Sequence, residues 1–420
     1  MRILSLTENF PPETNAAATR VYERARYWAD WGHEVTVVTT APNFPQGKLY
    51  EGYENRWYQT EWIDGIKVVR VKSFISPNRG TFRRTLDFLS FLFTGLGGGL
   101  FQNRPDVVTA TSPQFFSAVA GWLLGAIRRV PFVFELGDIW PASIVAVGAM
   151  KPSLALRVME KLELFLYRRS ASVVALTSAF KENLISRNID GDKIAVVMNG
   201  VDLSKYSPKE RTADLAKEWG LSDNFVIGYI GTHGMAHGLH NVVDAAACLR
   251  EDRRAKFLFV GDGAEREGLI ASARERNLEN VVFRPPAPKE LMPDIWSLCD
   301  VALVHLRNAP VFSEVMPSKV FEAMAMGVPI LLAAPKGEAS KVLAREGAGL
   351  HVAPEEPDAL AAAVVELAND SDLRKRLGEA GHRSAAKYTR VNQATQMLQA
   401  LEIAAAGWGN RVGVGLEPLR

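Results

Sequence analysis

Short apolar runs alternate with longer stretches of helical spacing along this 420-residue chain. "RILSL", "HEVTVVTT", "DVVTATS", "PFVFELGD", "SVVALTS" and "KIAVVMNG" supply the runs of the first half. "FVIGYIG", "KFLFVGDG", "NVVFRPP", "DVALVHL" and "VPILLAA" supply those of the second. Between the first two lies "RVYERARYWADWG", a helical pattern that Gly32 ends. Strand, helix and strand in that order form the building block of a parallel sheet. Its repetition in both halves predicts an α/β chain of two doubly wound, Rossmann-like domains.

The polar stretch "DLSKYSPKERTADLAKEWGLSDN" separates the two series. The boundaries expected from it are 1–201 for the first domain, 202–224 for a linker and 225–385 for the second domain. A closing helix near 386–406 is expected to pack back on the first. Ligands of such sheets lie beyond the carboxyl ends of the strands. "TENFPP", "ELGDIWP", "GTHG", "GDGAE", "RPPAP" and "HLRNAP" all follow a strand, so chemistry is expected there, in a cleft between strand ends that face each other.

Composition narrows the classes. The 49 basic and 47 acidic residues leave a net charge of +2, which gives no electrostatic reason to bind nucleic acid. Two cysteines, Cys248 and Cys299, are too few for a disulfide framework or a thiolate cage and read as reduced thiols of a cytoplasmic protein. No continuous apolar region near the N-terminus suggests a signal peptide, and no run reaches the roughly 18 residues that span a bilayer. In "SPNRGTFRRTLDFLSFLF", Arg79, Arg83 and Arg84 stand beside Phe82, Phe88, Phe91 and Phe93. Residues 79–93 therefore suit either a helix resting on the inner face of the cell membrane or a core helix with a basic first turn.

The most specific stretch is "APVFSEVMPSKVFEAMAMGVPILLA", residues 309–333, where seven residues, Pro317 among them, separate Glu314 from Glu322. A proline fits the first turn of a helix, and the free amides near Ser318 and Lys319 would then point outward with the positive end of the dipole, a pocket for a diphosphate. Two carboxylates beside it suit sugar hydroxyls, unless both are simply solvated surface charges.

With that element in place, the chain resembles glycosyltransferase family 4, retaining enzymes of the GT-B fold: two Rossmann-like domains facing each other across a cleft. "NFPPETNAAATRVYERARYWADWGHEVTVVTT", "ALTSAFKENLISRNIDGDKIAVVMNGVDLSKYSP", "FLFVGDG" and "FRPPAPKELM" match in the same order. The resemblance implies that Glu322 binds the nucleotide ribose, Glu314 the hydroxyls of the transferred sugar, and the backbone at Ser318 and Lys319 the diphosphate. It puts Gly231, Gly263 and Arg284 on the donor side as well. "FPPETN", "GDIWPASIVAVG" and "PSKVFEAMAMGVPIL" are similar to a bacterial branch associated with O-antigen and capsule assembly and with N-acetyl-fucosamine-type transfer. The donor implied is a UDP-sugar, a substrate rather than a cofactor. The acceptor implied is polyprenyl-diphosphate-linked or a saccharide, and no metal is required.

The chain departs from the family at several positions. In "GTHGMAHGLHNVVDA" an arginine and a lysine usually hold the donor diphosphate, yet no basic side chain other than histidine occurs in residues 231–249. His233 and His237 take those places and are expected to meet the phosphates, which would hold an imidazole in its protonated form. Transfer would then weaken as pH rises past that value. A metal site from His237, His240 and Asp244 is the competing reading, with Gly238 against it. The glycine pair of the first loop is replaced by Ala16 and Ala17, and the family histidine by Gly137, leaving Asp138 either to activate the acceptor or to cap a helix. Glu8 and Asn15 are further candidates on the acceptor side. "IDGDKI" reads as a surface turn, and "GDGAEREG" lacks the third glycine of a dinucleotide fingerprint. A GT-B nucleotide-sugar 2-epimerase, an NAD-dependent dehydrogenase and a non-catalytic sugar-nucleotide-binding scaffold protein are the rival functions.

Overall fold

The computed structural model describes residues 1–44, 46–75, 81–112, 115–139, 145 and 153–413, the side chains of 81–85 and 409–413 excepted. These form two compact units: unit 1 takes the N-terminal part up to Met198 and the C-terminal segment from Arg390, and unit 2 takes Asn199–Thr389.

Unit 1 carries an eight-stranded sheet. Its strands are β1 Arg2–Leu6, β2 Glu34–Thr40, β3 Tyr58–Ile63, β4 Ile66–Val71, β5 Val107–Thr111, β6 Phe132–Leu136, β7 Ser172–Ala175 and β8 Ile194–Val196. They lie in the order β3-β4-β2-β1-β5-β6-β7-β8, parallel except for the edge strand β3. Helix Ala16–Asp30 starts on Asn15, whose Oδ1 accepts from the Ala18 N–H at 2.9 Å. It buries Val21, Ala25 and Trp28 against the sheet. The helix Arg390–Gly413 sets Ala394, Met397 and Leu401 into the same core, and the Trp28 indole N–H donates to the Ala394 carbonyl at 2.9 Å.

Helix Thr81–Leu100 holds the one aromatic-rich segment that suggested a membrane face. Phe91 is fully buried and Phe93 is exposed, so the core reading accounts for one side of the helix. Gly98 and Gly99 let it approach the sheet and its neighbour: a Cβ on Gly98 would stand 2.7 Å from Val71, and one on Gly99 2.5 Å from Leu124. Arg79 lies outside the described residues, as do the side chains of Phe82, Arg83 and Arg84. Among the described residues no helix is long and apolar enough to cross a membrane.

Unit 2 carries β9 Phe225–Ile230, β10 Ala255–Val260, β11 Val281–Arg284, β12 Val301–His305, β13 Ile330–Ala333 and β14 Gly349–Val352. All are parallel, in the order β11-β10-β9-β12-β13-β14. Residues 202–224 are more than a bare connection. They contain helix Ala213–Trp219, and Arg211 pairs with Asp300 at 2.5 Å within this unit.

The strand β6 carries a charge that pattern alone does not explain. Glu135, 1% exposed, is met by Arg20 Nε at 2.7 Å and Arg24 Nη2 at 2.6 Å, both from helix Ala16–Asp30. Burial alone would raise this carboxyl; the guanidiniums of Arg24 and Arg20 overcome it and hold the group at about 2. Glu135→Ala would leave two buried cations without their counter-charge and is expected to cost unit 1 about 3–5 kcal/mol in urea unfolding. The stability that the Glu135 ionisation contributes is complete above the ordinary value of 4.5 and is lost as pH falls toward 2. An unchanged urea midpoint in the variant would refute the assignment.

Candidate functional site

The strand order of unit 2 reverses at β9, with β10 on one side and β12 on the other. The loops leaving β9 and β12 therefore part at their carboxyl ends, where a parallel sheet opens to ligands. The loop after β9 lies directly on the loop after β10. The His233 N–H donates to Asp262 O at 2.8 Å, and the Glu265 N–H donates to His233 O at 3.0 Å. Such contact demands missing side chains. A Cβ on Gly261 (φ +146°) would stand 2.0 Å from Gly231 O, and one on Gly263 (φ +156°) 2.4 Å from His233 O. Gly263 is thus a packing residue, and the incomplete "GDGAEREG" fingerprint is a crossing of two loops.

His233 is fully buried, boxed by Tyr229, Phe259 and Phe283 at ring-centroid distances of 5.8, 6.0 and 6.5 Å. Neither ring nitrogen has a hydrogen-bond partner among the described residues. Its Nε2 faces the crossing, 3.4 Å from where a Gly261 Cβ would be. His237 lies half-buried in the short turn Met235–His237, its ring 5.9 Å from that of Tyr229. Gly238, left-handed at φ 56°, then breaks the chain direction before helix His240–Cys248. His237 therefore does not share a helical face with His240 and Asp244, and Asp244 pairs with Arg276 at 2.5 Å. The spacing that suggested a metal is not realised as a helical register.

Neither histidine carries charge here. Burial and then the Lys319 ammonium lower His233 to about 4 and His237 to about 3. The expectation concerned imidazoles beside bound phosphates; in the unliganded pocket both rings are neutral, and the amine beside them is that of Lys319, which is half-buried and arrives from a different element. Its Nζ is enclosed, makes no hydrogen bond among the described residues, and sits 3.5 Å above the centre of the Tyr229 ring. A Cβ on Gly231 would be 3.1 Å from it. Burial lowers this ammonium to about 7, partly offset by the Glu322 carboxylate.

Lys319 opens helix Lys319–Met326, with Ser318 as a cap that makes no side-chain capping bond. Pro317 thus precedes the cap and does not occupy the first helical turn. The amides of Ser318 and Lys319 make no hydrogen bond among the described residues and remain available. Glu322 falls at the end of the first turn and accepts from the Trp296 indole N–H at 3.2 Å. Glu314 ends the short turn Pro310–Ser313 that leads into this helix. Arg284 closes β11, with its guanidinium 5.2 Å from the Trp219 ring and its carbonyl receiving the Gly261 N–H at 3.2 Å.

Sequence reasoning missed two supporting residues. Tyr229 lies inside a strand and gives no signal in pattern. His305, the last residue of β12, is 1% exposed and braces the loop: its Nδ1–H donates to His237 O at 2.6 Å, and its Nε2 lies 2.9 Å from the Asn241 side-chain amide. Burial lowers His305 to about 4, so the neutral ring has one N–H for the two oxygens that face it, His237 O and Asn241 Oδ1. "HLRNAP" marked the position but not the role.

The acceptor-side candidates lie in unit 1. Asn15 spends its side-chain oxygen on capping helix Ala16–Asp30, a structural use. Glu8 is 7% exposed, and its carbonyl accepts from the Thr39 and Thr40 hydroxyls at 3.1 and 2.9 Å. Asp138 follows β6 and is half-buried. The stretch after Trp140 that it was expected to cap lies outside the described residues. Gly137 packs so closely that a Cβ would stand 2.4 Å from Ser112 O, so this backbone has no room for a histidine there. Glu13, not anticipated, holds the loop after β1: its carboxylate accepts from the backbone N–H groups of Asn43 and Phe44, both at 2.8 Å, and of Phe10 at 3.2 Å.

Residues 15–200 match the family model "Glycosyl transferase 4-like domain" and residues 212–384 the model "Glycosyl transferases group 1". A D-inositol 3-phosphate glycosyltransferase of Corynebacterium urealyticum is 30% identical over 92% of this chain and 90% of its own. The chain belongs to the group 1 glycosyltransferases. Escherichia coli (strain K12) WcaI, named for colanic acid biosynthesis, is 26% identical over 78% of this glycosyltransferase and 82% of its own length. The crystal structure of Anabaena Alr3699/HepE in complex with UDP and glucose superposes with a TM-score of 0.71 at 19% identity, covering 96% of this chain and 99% of that one. The fold class is GT-B, two Rossmann-like α/β domains.

The three low imidazole values set a test on the free glycosyltransferase. At pH 5.5, His233, His237 and His305 are expected to give the nitrogen chemical shifts of neutral rings in NMR. Because the unfolded chain protonates them near 6.5, the stability tied to the neutral rings is complete above that value and is lost as pH falls toward 4. An imidazolium signal from His233 at pH 5.5 would overturn this account of the pocket.

Proposed function

We propose that this glycosyltransferase binds a nucleoside-diphosphate sugar in unit 2, a UDP-sugar in the first instance. It transfers the sugar, with retention of anomeric configuration, to a lipid-linked acceptor in bacterial surface polysaccharide assembly. One observation carries the reading. A buried imidazole with two unpartnered nitrogens, an enclosed ammonium and the free amides of a helix start gather at the carboxyl ends of β9, β10 and the chain after β12. The ammonium, the amides and one imidazole N–H are donors without acceptors, which a diphosphate would supply. Glu322 and Glu314, on either side of the helix start, are the acceptors proposed for ribose and sugar hydroxyls. The complex of HepE with UDP and glucose and the name of WcaI support the donor and the pathway class.

In the proposed reaction the bond from the anomeric carbon to the diphosphate oxygen breaks and one to the acceptor oxygen forms on the same face. The acceptor proton passes to the leaving diphosphate. The protein's task is to stabilise charge on that leaving group, so a strong nucleophile is not required. Asp138 and Glu8 of unit 1 are the groups proposed for acceptor contact, and residues 79–93 for contact with a membrane surface. No divalent ion is invoked.

Thermal unfolding with UDP, GDP, ADP and NAD, each with and without EDTA, tests the donor class. A selective shift with UDP, unchanged by EDTA, is expected; a shift only with NAD, or one abolished by EDTA, would sink the reading. Glu322→Ala is expected to weaken UDP binding by roughly 10–100-fold, the loss of one or two hydrogen bonds to a charged group. Consumption of UDP-sugar at equal rates with and without acceptor would instead favour epimerase chemistry.

A further inference from the structure

In place of the basic residues that the loop after β9 lacks, the structure offers a cation from another part of the chain. Lys319 Nζ reaches the edge of the Gly231–Gly261 crossing, close to His233 and His237, and faces the Tyr229 ring. The groups that bear on it are few. His233 and His237 come from the loop, His305 from β12, Tyr229 from β9 and Glu322 from its own helix. Only Glu322 offers a negative charge, and no acceptor among the described residues hydrogen-bonds the ammonium. The side chain is held in place by packing and lacks a partner, as the two nitrogens of His233 beside it do.

We propose that the Lys319 side chain is the cation that meets the donor diphosphate, and that donor binding draws one proton from solvent onto it. This rests on the reading of unit 2 as a nucleotide-sugar site and adds to it a residue and a coupled proton. Sequence analysis gave Lys319 only a backbone amide at the phosphates and assigned the side-chain contacts to the histidines. The geometry reverses that division. The imidazoles stay neutral and donate hydrogen bonds, while the ammonium supplies charge. The proton comes from the medium because burial leaves the empty-site amine near 7, so at pH 8 only about a tenth of the molecules carry it. A bound diphosphate places negative charge beside the amine and favours its protonated form.

Calorimetric titration with UDP, with GDP beside it, at pH 8 in HEPES and in Tris measures the proton directly, because the two buffers differ in ionisation enthalpy. Wild type is expected to take up a large fraction of a proton per nucleotide bound at pH 8, and its affinity to fall as pH rises from 7 to 9. Lys319→Met should abolish the uptake and weaken UDP at pH 7 by at least tenfold, while leaving the weak binding of uridine unchanged. A merely structural role would not leave uridine untouched. Lys319→Arg, whose guanidinium does not titrate in this range, should recover affinity without uptake. His233→Asn and His237→Asn should keep the uptake. Binding of UDP without proton uptake, or uptake that survives Lys319→Met and is lost in a histidine variant, would overturn the proposal and leave the nucleotide site standing. Failure of wild type to bind either nucleotide would remove both.

Discussion

An ammonium withdrawn from water needs an acceptor or must give up its proton, and unit 2 offers Lys319 only the face of Tyr229 and the distant pull of Glu322. Much of the surrounding arrangement follows from that constraint. The two imidazoles close by are pressed to low values and stay neutral, first because they are buried and then because the Lys319 ammonium lies beside them. His305 is neutral for the same reason of burial and so has one N–H to give, which it gives to the His237 carbonyl. The loop that bears these histidines can lie this deep only because Gly231, Gly261 and Gly263 let two backbones cross at a distance no Cβ would permit.

Unit 1 meets its buried charge in the opposite way. Glu135 sits on a central strand but receives two guanidiniums at hydrogen-bond distance, so its charge is retained. Such an ion cluster is a fixed structural fastening between β6 and helix Ala16–Asp30, with all partners inside the unit. Lys319 is the unmet case, and an unmet buried donor is what distinguishes a place built for a ligand from one built for the fold.

Most strands of both sheets were legible because parallel strands buried on both faces read as continuous apolar runs, "VALVH" and "ILLA" among them, whereas β3, β4 and β14 were not read. The carboxyl-end rule then pointed to the loops after β9 and β10, which cross in the structure. What periodicity could not supply was adjacency across the sheet. Lys319 and Gly231 are separated by 87 intervening residues and meet because β12 pairs with β9, a non-local fact. For the same reason the sequence could not bring the Lys319 amine to the side of the two histidines. Pro317 shows a local limit: its fixed φ suits a first turn, but the chain uses it one step earlier, before Ser318. Gly137 was read as a lost histidine, whereas the Ser112 carbonyl beside it leaves no space for one.

A lysine differs from an arginine in this position in one physical respect that bears on turnover. Guanidinium stays charged whatever its surroundings, so an empty pocket lined with arginine would carry the desolvation penalty of a bare cation throughout the cycle. An amine can shed its proton when the pocket is empty and regain it when a diphosphate enters, so the penalty is met only while a counter-charge is present. The Tyr229 ring suits both states, packing against the neutral amine and attracting the charged one. As the sugar departs, negative charge on the diphosphate grows, and a cation poised near neutrality is held more strongly in its protonated form at that moment than at any other. An ammonium already held beside the diphosphate meets more negative charge in the transition state than in the ground state, which is the requirement for faster chemistry rather than tighter binding.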